Sequence, residues 1–247
     1  MKSKKRIVEE YFRKESLRLA QDTHLAHDLE RDNWRALRFL AYAIQNLPSL
    51  QSIKKKLVEL ASIVRGGNQS ESSYHNCLAE FHAIWFVSYR LGLEVTALEC
   101  RSASIRSPNR RGNHSCDLLA RRRSTDIYFE VKDLSSETLS QYEDQRVADG
   151  AVFFEPSSPD AIRKWIHKML RESFKKGSDY LICRVPVWSS LGVPGFGERW
   201  VRTIFRDVKK LSASDYVVGV RVNVPSFFKG VYFISNRRHL LLKINNA

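Results

Sequence analysis

The stretch SCDLLARRRSTDIYFEVKDL, residues 115–134, decides the predicted fold because it has the pattern of two short strands joined by a tight turn. An apolar run is followed by a polar run with three consecutive arginines, and apolar and polar residues then alternate through the second strand. A turn centred between Arg123 and Ser124 places Asp117 directly opposite Glu130. The sequence therefore predicts a β-hairpin with two carboxylates facing each other near its open end.

Lys132 lies two residues beyond Glu130 and therefore shares a strand face with it. Opposed carboxylates repel each other unless a cation lies between them or one of them is protonated. Mg²⁺ prefers hard oxygen ligands and commonly takes one or two protein carboxylates together with waters and phosphate oxygens. The pattern therefore indicates a divalent-metal site at Asp117 and Glu130, with Lys132 directed at a phosphate or an attacking water.

This arrangement resembles the motif of the PD-(D/E)xK nuclease superfamily, which has the restriction-endonuclease-like fold. In that motif an Asp begins one strand, and a Glu or Asp followed two residues later by a Lys ends the next, which corresponds here to Asp117, Glu130 and Lys132. Cys116 stands where a Pro often precedes the Asp, a frequent variation in the family. The resemblance implies that these three residues are catalytic, that Mg²⁺ or Mn²⁺ is the cofactor, and that the cleaved strand carries a 5′-phosphate and a 3′-hydroxyl.

The motif is short, and a second match in the chain tests its specificity. Residues 207–209, Asp-Val-Lys, also fit the acidic-x-Lys pattern, but they fall in a segment with helical apolar spacing and have no partner Asp. The alternative for Asp117, Glu130 and Lys132 is a solvated polar face of an edge hairpin with a cross-strand ion pair.

Glu80 is the one acidic residue in a segment, residues 74–91, whose helical pattern is apolar nearly all round. A buried carboxylate is costly unless a cation or hydrogen-bond donor meets it. Many members of the resembled family carry a Glu on this preceding helix that completes the metal site, so Glu80 is a candidate metal ligand beside Asp117 and Glu130. The alternative is that Glu80 belongs to a side-chain network or reaches solvent.

The order of elements from 74 to 187 is helix, three strands, helix, strand, which matches the αβββαβ core of the resembled family. We therefore predict an α/β fold with a mixed sheet in residues 68–247 and a helical appendage in residues 1–67. Two apolar stripes predict helices in the appendage, one with Trp34, Leu37, Ala41 and Ile44, and one running from Leu50 to Val64. The following GGNQSESS, residues 66–73, is interpreted as a connector.

Two basic segments are candidates for phosphate contact. Residues 101–114 carry arginines without any acidic residue in a Ser-, Pro- and Gly-rich loop, and the candidate nucleic-acid-binding residues there are Arg101, Arg106, Arg110 and Arg111. The alternative is a mobile basic loop without a defined contact. Lysines 54–56 are interpreted instead as the solvated outer face of an amphipathic helix.

Composition agrees with a nucleic-acid partner. The 247 residues include 41 Lys and Arg against 27 Asp and Glu, a net charge of +14, which favours a polyanion through counterion release. The four cysteines form no C-x-x-C pair and lie mostly in apolar runs, which predicts buried thiols and a cytoplasmic protein. No segment approaches the roughly 18 apolar residues of a membrane span, and no phosphate-cradling or dinucleotide motif is present.

These observations predict a metal-dependent endonuclease that acts on nucleic acid, DNA in preference to RNA. The alternatives are a non-catalytic nucleic-acid-binding protein that retains the nuclease fold, and a regulatory subunit of a larger complex. A homodimer is left open.

Overall fold

The computed structural model of the chain describes residues 2–101, 115–133, 145–148, 151–154, 159–184, 216–217, 220–221, 226–234 and 239–243. Its helices are α1 (Lys4–Lys14), α2 (His24–Glu30), α3 (Trp34–Asn46), α4 (Gln51–Ser62), α5 (Gly67–Trp85), which continues as a π-helical segment (Phe86–Arg90), and α6 (Pro159–Lys176). Its strands are β1 (Glu94–Arg101), β2 (Ser115–Arg122), β3 (Thr125–Asp133), β4 (Gln145–Ala148), β5 (Ala151–Phe154), β6 (Tyr180–Arg184), β7 (Tyr216–Val217), β8 (Val220–Arg221), β9 (Gly230–Ile234) and β10 (His239–Lys243).

The chain divides into two compact units. The first contains Met1–Cys100 and Asp117–Ile127, and the second contains Arg101–Cys116 and Tyr128–Ala247. The predicted domain boundary after residue 67 falls inside the first unit, near the start of α5. The assignment of residues 68–247 to a nuclease-like domain stays a prediction.

The first unit is built from amphipathic helices. The hydroxyls of Ser3 and Thr23 accept hydrogen bonds from backbone amides in the first turns of α1 and α2, which satisfies donors that a helix start leaves open. Helix α3 packs against α1 and α5, and α4 packs against α2 and α5. The predicted stripes on α3 and α4 form this core through Leu37, Ala41, Ile44, Ile53, Leu57, Leu60 and Ala61, all of which are buried.

Three details of the helical prediction are wrong. Trp34 and Val64 are exposed to 55% and 50%, because each lies at the margin of its apolar stripe, one at the first residue of α3 and the other beyond the end of α4. The expected connector at 66–73 is mostly helix, because α5 begins at Gly67. Gln69, Glu71 and Ser73 are exposed on the first turns of α5, where Ser73 donates a hydrogen bond to the carbonyl of Gln69 at 2.9 Å.

The fold class is confirmed as α/β with a mixed sheet. The order in the main sheet is β1-β2-β3-β6-β9-β10, and β4 with β5 and β7 with β8 form two small two-stranded sheets. The predicted hairpin is confirmed, since β2 ends at Arg122, β3 begins at Thr125, and Arg123 at the turn has a φ of +56°. Left-handed backbone of this kind is what tight hairpin turns need.

The second unit contains the parallel part of the sheet. β3 pairs with β6, and β6 with β9, in parallel, while β10 closes the edge antiparallel to β9. Parallel strands are covered on both faces, which explains why β3 is buried without alternation from Ile127 to Val131. Helix α6 packs against β6 and ends before Gly177, whose φ of +71° suits a glycine C-cap.

The Asp-Val-Lys match at 207–209, with the helical segment predicted around it, falls outside the described residues. The cysteine prediction is confirmed, since all four thiols are free and Cys77, Cys116 and Cys183 are buried. Within the described part of the chain, no helix has the length and apolar character to cross a membrane.

Candidate active site

Glu130 is a fully buried carboxylate in the middle of β3, with 0% of its side chain exposed. Two lysines meet the same oxygen: Lys132 Nζ lies 2.8 Å and Lys176 Nζ 2.6 Å from Glu130 Oε1. Lys132 reaches it because residues two apart on a strand share a face. Lys176 comes from the last turn of α6, which packs against the neighbouring strand β6.

The surroundings of Glu130 mix both signs of charge. Lys132 Nζ is 3.9 Å from Glu172 Oε2. On the opposite face of β3, Asp133 Oδ1 is 3.4 Å from Arg184 on β6. Cys116 is buried, and its Sγ lies 3.3 Å from the carbonyl oxygen of Lys176. This thiol therefore packs against the end of α6 that carries Lys176.

Asp117 and Glu80 belong to the first unit and lie close enough to interact electrostatically. Burial is the largest influence on Glu80 and raises its pKa to about 7; the charge of Lys56 opposes this, and the charges of Asp117 and Glu59 add to it. Asp117 is half-buried on β2. Glu80 and Asp117 therefore interact, and the role of Glu80 as a metal ligand stays a prediction.

Lys56 on α4 is the cation that meets Glu80. Its Nζ lies 3.0 Å from both carboxylate oxygens of Glu80, 3.2 Å from Glu59 and 2.8 Å from Glu99, and its side chain is only 7% exposed. Glu99 has a φ of +49° within β1, a strained conformation for a residue with a side chain. From there its carboxylate also accepts a hydrogen bond from Lys55 at 2.8 Å.

The three carboxylates outweigh the burial of Lys56. Burial alone lowers the pKa of Lys56, but the charges and hydrogen bonds of Glu80, Glu99 and Glu59 raise it well above its ordinary value. Hydrogen bonds from Lys55 and Lys56 lower the pKa of Glu99 to about 2. Because Lys56 is shared among three anions, it leaves Glu80 only partly compensated.

The prediction that lysines 54–56 form a solvated outer face is wrong for Lys56, whereas Lys54 and Lys55 are exposed. Lys54 Nζ is 2.8 Å from Glu15, Lys55 pairs with Glu99, and Lys56 is buried among carboxylates. The sequence pattern missed Glu80 and Glu99 as partners of Lys56 because they lie on other elements, and helical periodicity encodes only neighbours on the same helix, such as Glu59 at i+3.

The donor set of the first unit fits a hard divalent cation. Glu80 and Asp117 supply carboxylate oxygens, and Glu80 Oε2 is buried and meets Lys56 Nζ at 3.0 Å only as an ion pair without hydrogen-bond geometry. Carboxylates outnumber the lysines here, since Lys55 and Lys56 meet the three carboxylates of Glu59, Glu80 and Glu99, and Asp117 interacts with Glu80 in addition. Among the described residues, no group of three or more His, Cys, Asp or Glu is arranged to hold a metal ion.

The predicted site residues divide between the two units. Glu80 and Asp117 are associated in the first, and Glu130 and Lys132 in the second. The facing of Asp117 and Glu130 across the hairpin stays a prediction. Arg101 ends β1 with its side chain outside the described part, and Arg106, Arg110 and Arg111 lie wholly outside it.

Sequence reasoning missed two lysines in these clusters. Lys176 precedes Gly177 at the end of an amphipathic helix, a position usually occupied by a basic residue that stabilises the helix C-terminus. Its sequence signal therefore indicated a cap and not a carboxylate partner. The sequence contains a weak indication that Lys56 is buried, because Lys56 lies next to Leu57 of the apolar helical stripe.

In comparisons with protein-family models, curated proteins and solved structures, no match to this chain was found.

Removing the Lys56 ammonium is expected to destabilise the first unit strongly. Lys56→Met leaves Glu80 as a buried carboxylate without its cation, and breaking such a pair costs about 3–5 kcal/mol. Lys55→Met is the matched control, because Lys55 precedes it, shares Glu99 and is 71% exposed, so its loss is expected to change stability little. Urea unfolding of both variants measures the difference, and equal stabilities would contradict the buried role of Lys56.

The raised pKa of Glu80 predicts a pH-dependent stability. Between its ordinary value of 4.5 and about 7, the folded protein binds a proton that the unfolded chain releases, so the free energy of unfolding falls as the pH rises through this window. The loss is about 3 kcal/mol. Glu80→Gln removes the titrating group, so this fall in the free energy of unfolding is expected to be absent. Glu94→Gln, at an exposed carboxylate, should show the same fall as wild type. Denaturant unfolding in chelator between pH 4.5 and 8 measures it; superimposable profiles for wild type and Glu80→Gln would contradict it.

Proposed function

We propose that this chain is a divalent-metal-dependent nuclease that hydrolyses phosphodiester bonds of nucleic acid, DNA in preference to RNA. The observation that carries the proposal is the fully buried Glu130 with Lys132 at 2.8 Å, in the strand that follows the Asp117 strand of an α/β sheet. Burying a charged group costs several kcal/mol, and a polar cluster within a sheet is not needed for packing. A chemical role for these residues explains why the fold bears the free-energy cost of burying them.

The candidate roles follow the residue chemistry. Asp117 and Glu130, with Glu80 beside Asp117, would hold Mg²⁺ or Mn²⁺ through carboxylate oxygens. The chemistry supplied by the bound metal is polarisation of the phosphoryl oxygen and a lowered pKa of the attacking water. The proposal requires Asp117 and Glu130 to face each other, as the hairpin pattern predicts.

The role of Lys132 in this proposal is to orient the attacking water and to stabilise the extra negative charge of the transition state. Its ammonium is held at Glu130, and Lys176 shares the same oxygen. Lys176 therefore keeps Glu130 compensated when Lys132 turns toward a phosphate. Glu130 positions the lysine and contributes an oxygen ligand.

The proposed topology is the αβββαβ core of the restriction-endonuclease-like fold. Helix α5, the strands β1 to β3, helix α6 and strand β6 occur in that order along the chain. The β4–β5 pair stands between β3 and α6 as an insertion. The parallel pairing of β3 with β6 supports this topology.

A second candidate function is non-catalytic binding of nucleic acid by the same fold. The observation that favours it is that lysines already pair with the carboxylates: Lys56 meets Glu80, and both Lys132 and Lys176 meet Glu130. A site compensated internally can exist without a metal.

Incubation of the full chain with single- and double-stranded DNA and RNA, linear and circular, separates the two functions. Each substrate is tested with Mg²⁺, with Mn²⁺ and with chelator. A nuclease gives metal-dependent products with 5′-phosphate ends, and cutting of circles identifies an endonuclease. Binding without products on any substrate would favour the second function.

A further inference from the structure

A row of aromatic rings and guanidinium groups connects α3 to the π-helical end of α5. We call Trp34, Arg38, Trp85, Tyr89 and Arg90 the aromatic–arginine ladder. The guanidinium carbon of Arg38 lies 5.1 Å from the ring centre of Trp34 and 5.9 Å from that of Trp85. Trp85 and Tyr89 stack with centroids 5.6 Å apart, and Arg90 lies 5.7 Å and 6.0 Å from their rings.

Both ends of the ladder are exposed to solvent. Trp34 is 55% and Tyr89 63% exposed, although large aromatic side chains are usually well buried. Packing of α3 against α5 uses Phe39, which stacks on the buried His82 at 4.0 Å between centroids, and does not need the two terminal rings. An exposed aromatic ring beside an arginine offers a flat face for stacking and a positive charge next to it.

The charge around the ladder favours one class of partner. The segments that carry it, residues 33–47 and 81–93, contain Arg35, Arg38 and Arg90 and no Asp or Glu. Trp, Tyr and Arg are also enriched where proteins bind proteins, but a ladder whose own charged residues are all arginines, on a chain of net charge +14, complements a polyanion with flat groups. Unpaired nucleobases on a phosphate backbone have both features.

We infer that the aromatic–arginine ladder binds single-stranded nucleic acid, with bases stacked on Trp34 and Tyr89 and phosphates near Arg90. Base pairs within a duplex hide the base faces in the stack, so the ladder selects unpaired segments. That the strand bound here belongs to the substrate that is cut rests on the proposed function.

The test measures affinity in chelator, where no cleavage occurs. The probes are a labelled mixed-sequence DNA single strand of roughly 16 nucleotides, an abasic strand of equal length, and the matched duplex. Trp34→Ala and Tyr89→Ala are each expected to weaken binding of the single strand about tenfold and to leave the abasic strand and the duplex unchanged. Trp34→Leu and Tyr89→Leu, which keep an apolar side chain, should show the same loss. Val64→Ala, at another exposed apolar residue, is the control.

Salt dependence separates stacking from charge. Arg90→Gln is expected to reduce the magnitude of the log–log salt slope by about 0.7, whereas Trp34→Ala leaves it unchanged. Arg13→Gln, an exposed arginine at the end of α1, should bind like wild type.

Unchanged single-strand affinity in the ring variants would overturn the inference and would favour a protein partner for this face. Equal losses on the abasic strand would also overturn it, because they would reflect damage to the fold. Failure of the proposed function looks different: stacking-dependent binding would then be present without metal-dependent products. If the ring variants cleave and also bind single strands like wild type, the proposed function is retained and the ladder is rejected as a binding site.

Discussion

Asp117→Asn is expected to lower metal-dependent cleavage by about a thousandfold or more. The carboxylate is a proposed metal ligand, and the charge stabilisation that depends on it amounts to several kcal/mol, each 1.4 of which is about tenfold in rate. Asn keeps the size of the side chain, so the change concerns charge. Single-turnover cleavage across a range of Mg²⁺ concentrations measures it.

The same substitution is expected to leave the stability and the metal-free affinity for nucleic acid unchanged or higher. Asp117 raises the pKa of Glu80 through like-charge repulsion, so Asn should relieve this repulsion and leave stability equal or higher. Metal-free affinity for nucleic acid should also be equal or higher, because one charge that repels phosphate is gone. Asp126→Asn is the matched control, since Asp126 lies on the same hairpin and makes a surface ion pair with Arg121 at 2.8 Å. Wild-type cleavage by Asp117→Asn in a clean preparation would remove the hairpin from the active site.

Lys132→Ala is expected to lower cleavage by about 10²–10³-fold with little change in metal affinity. The lysine is proposed to stabilise developing charge, and loss of one such group from a catalytic site typically costs this much. Glu130 keeps Lys176 at 2.6 Å, so the buried carboxylate stays compensated and the fold should survive. The Mg²⁺ dependence of the residual rate and the unfolding midpoint check both points.

The exposed Lys175→Ala is a control for Lys132→Ala, because it removes one positive charge from the same unit without contact to Glu130. If the two variants cleave equally well, Lys132 is only one phosphate contact among many. A binding-only protein shows no metal-dependent cleavage in either variant, and Lys132→Ala then changes affinity alone.

The sequence by itself determined the local elements of this protein. Strict alternation in residues 126–132 and the polar break before it predicted the β2–β3 hairpin, and the apolar spacing of Leu37, Ala41 and Ile44 predicted α3. It also predicted that Lys132 shares a face with Glu130, because that follows from the two-residue repeat of a strand alone. These properties depend on neighbours along the chain, which a sequence displays directly.

Only the tertiary structure decided which charges meet. Lys56, Glu80 and Glu99 come from a helix, a second helix and a strand, and their contacts of 2.8–3.0 Å required these elements to pack. Lys176 reaches Glu130 for the same reason, since α6 returns the chain to β6 beside β3. The exposure of Trp34 and Tyr89 was likewise decided by which helices cover which faces. Periodicity defines the face of an element, but the partner opposite that face is set by packing between segments distant in sequence.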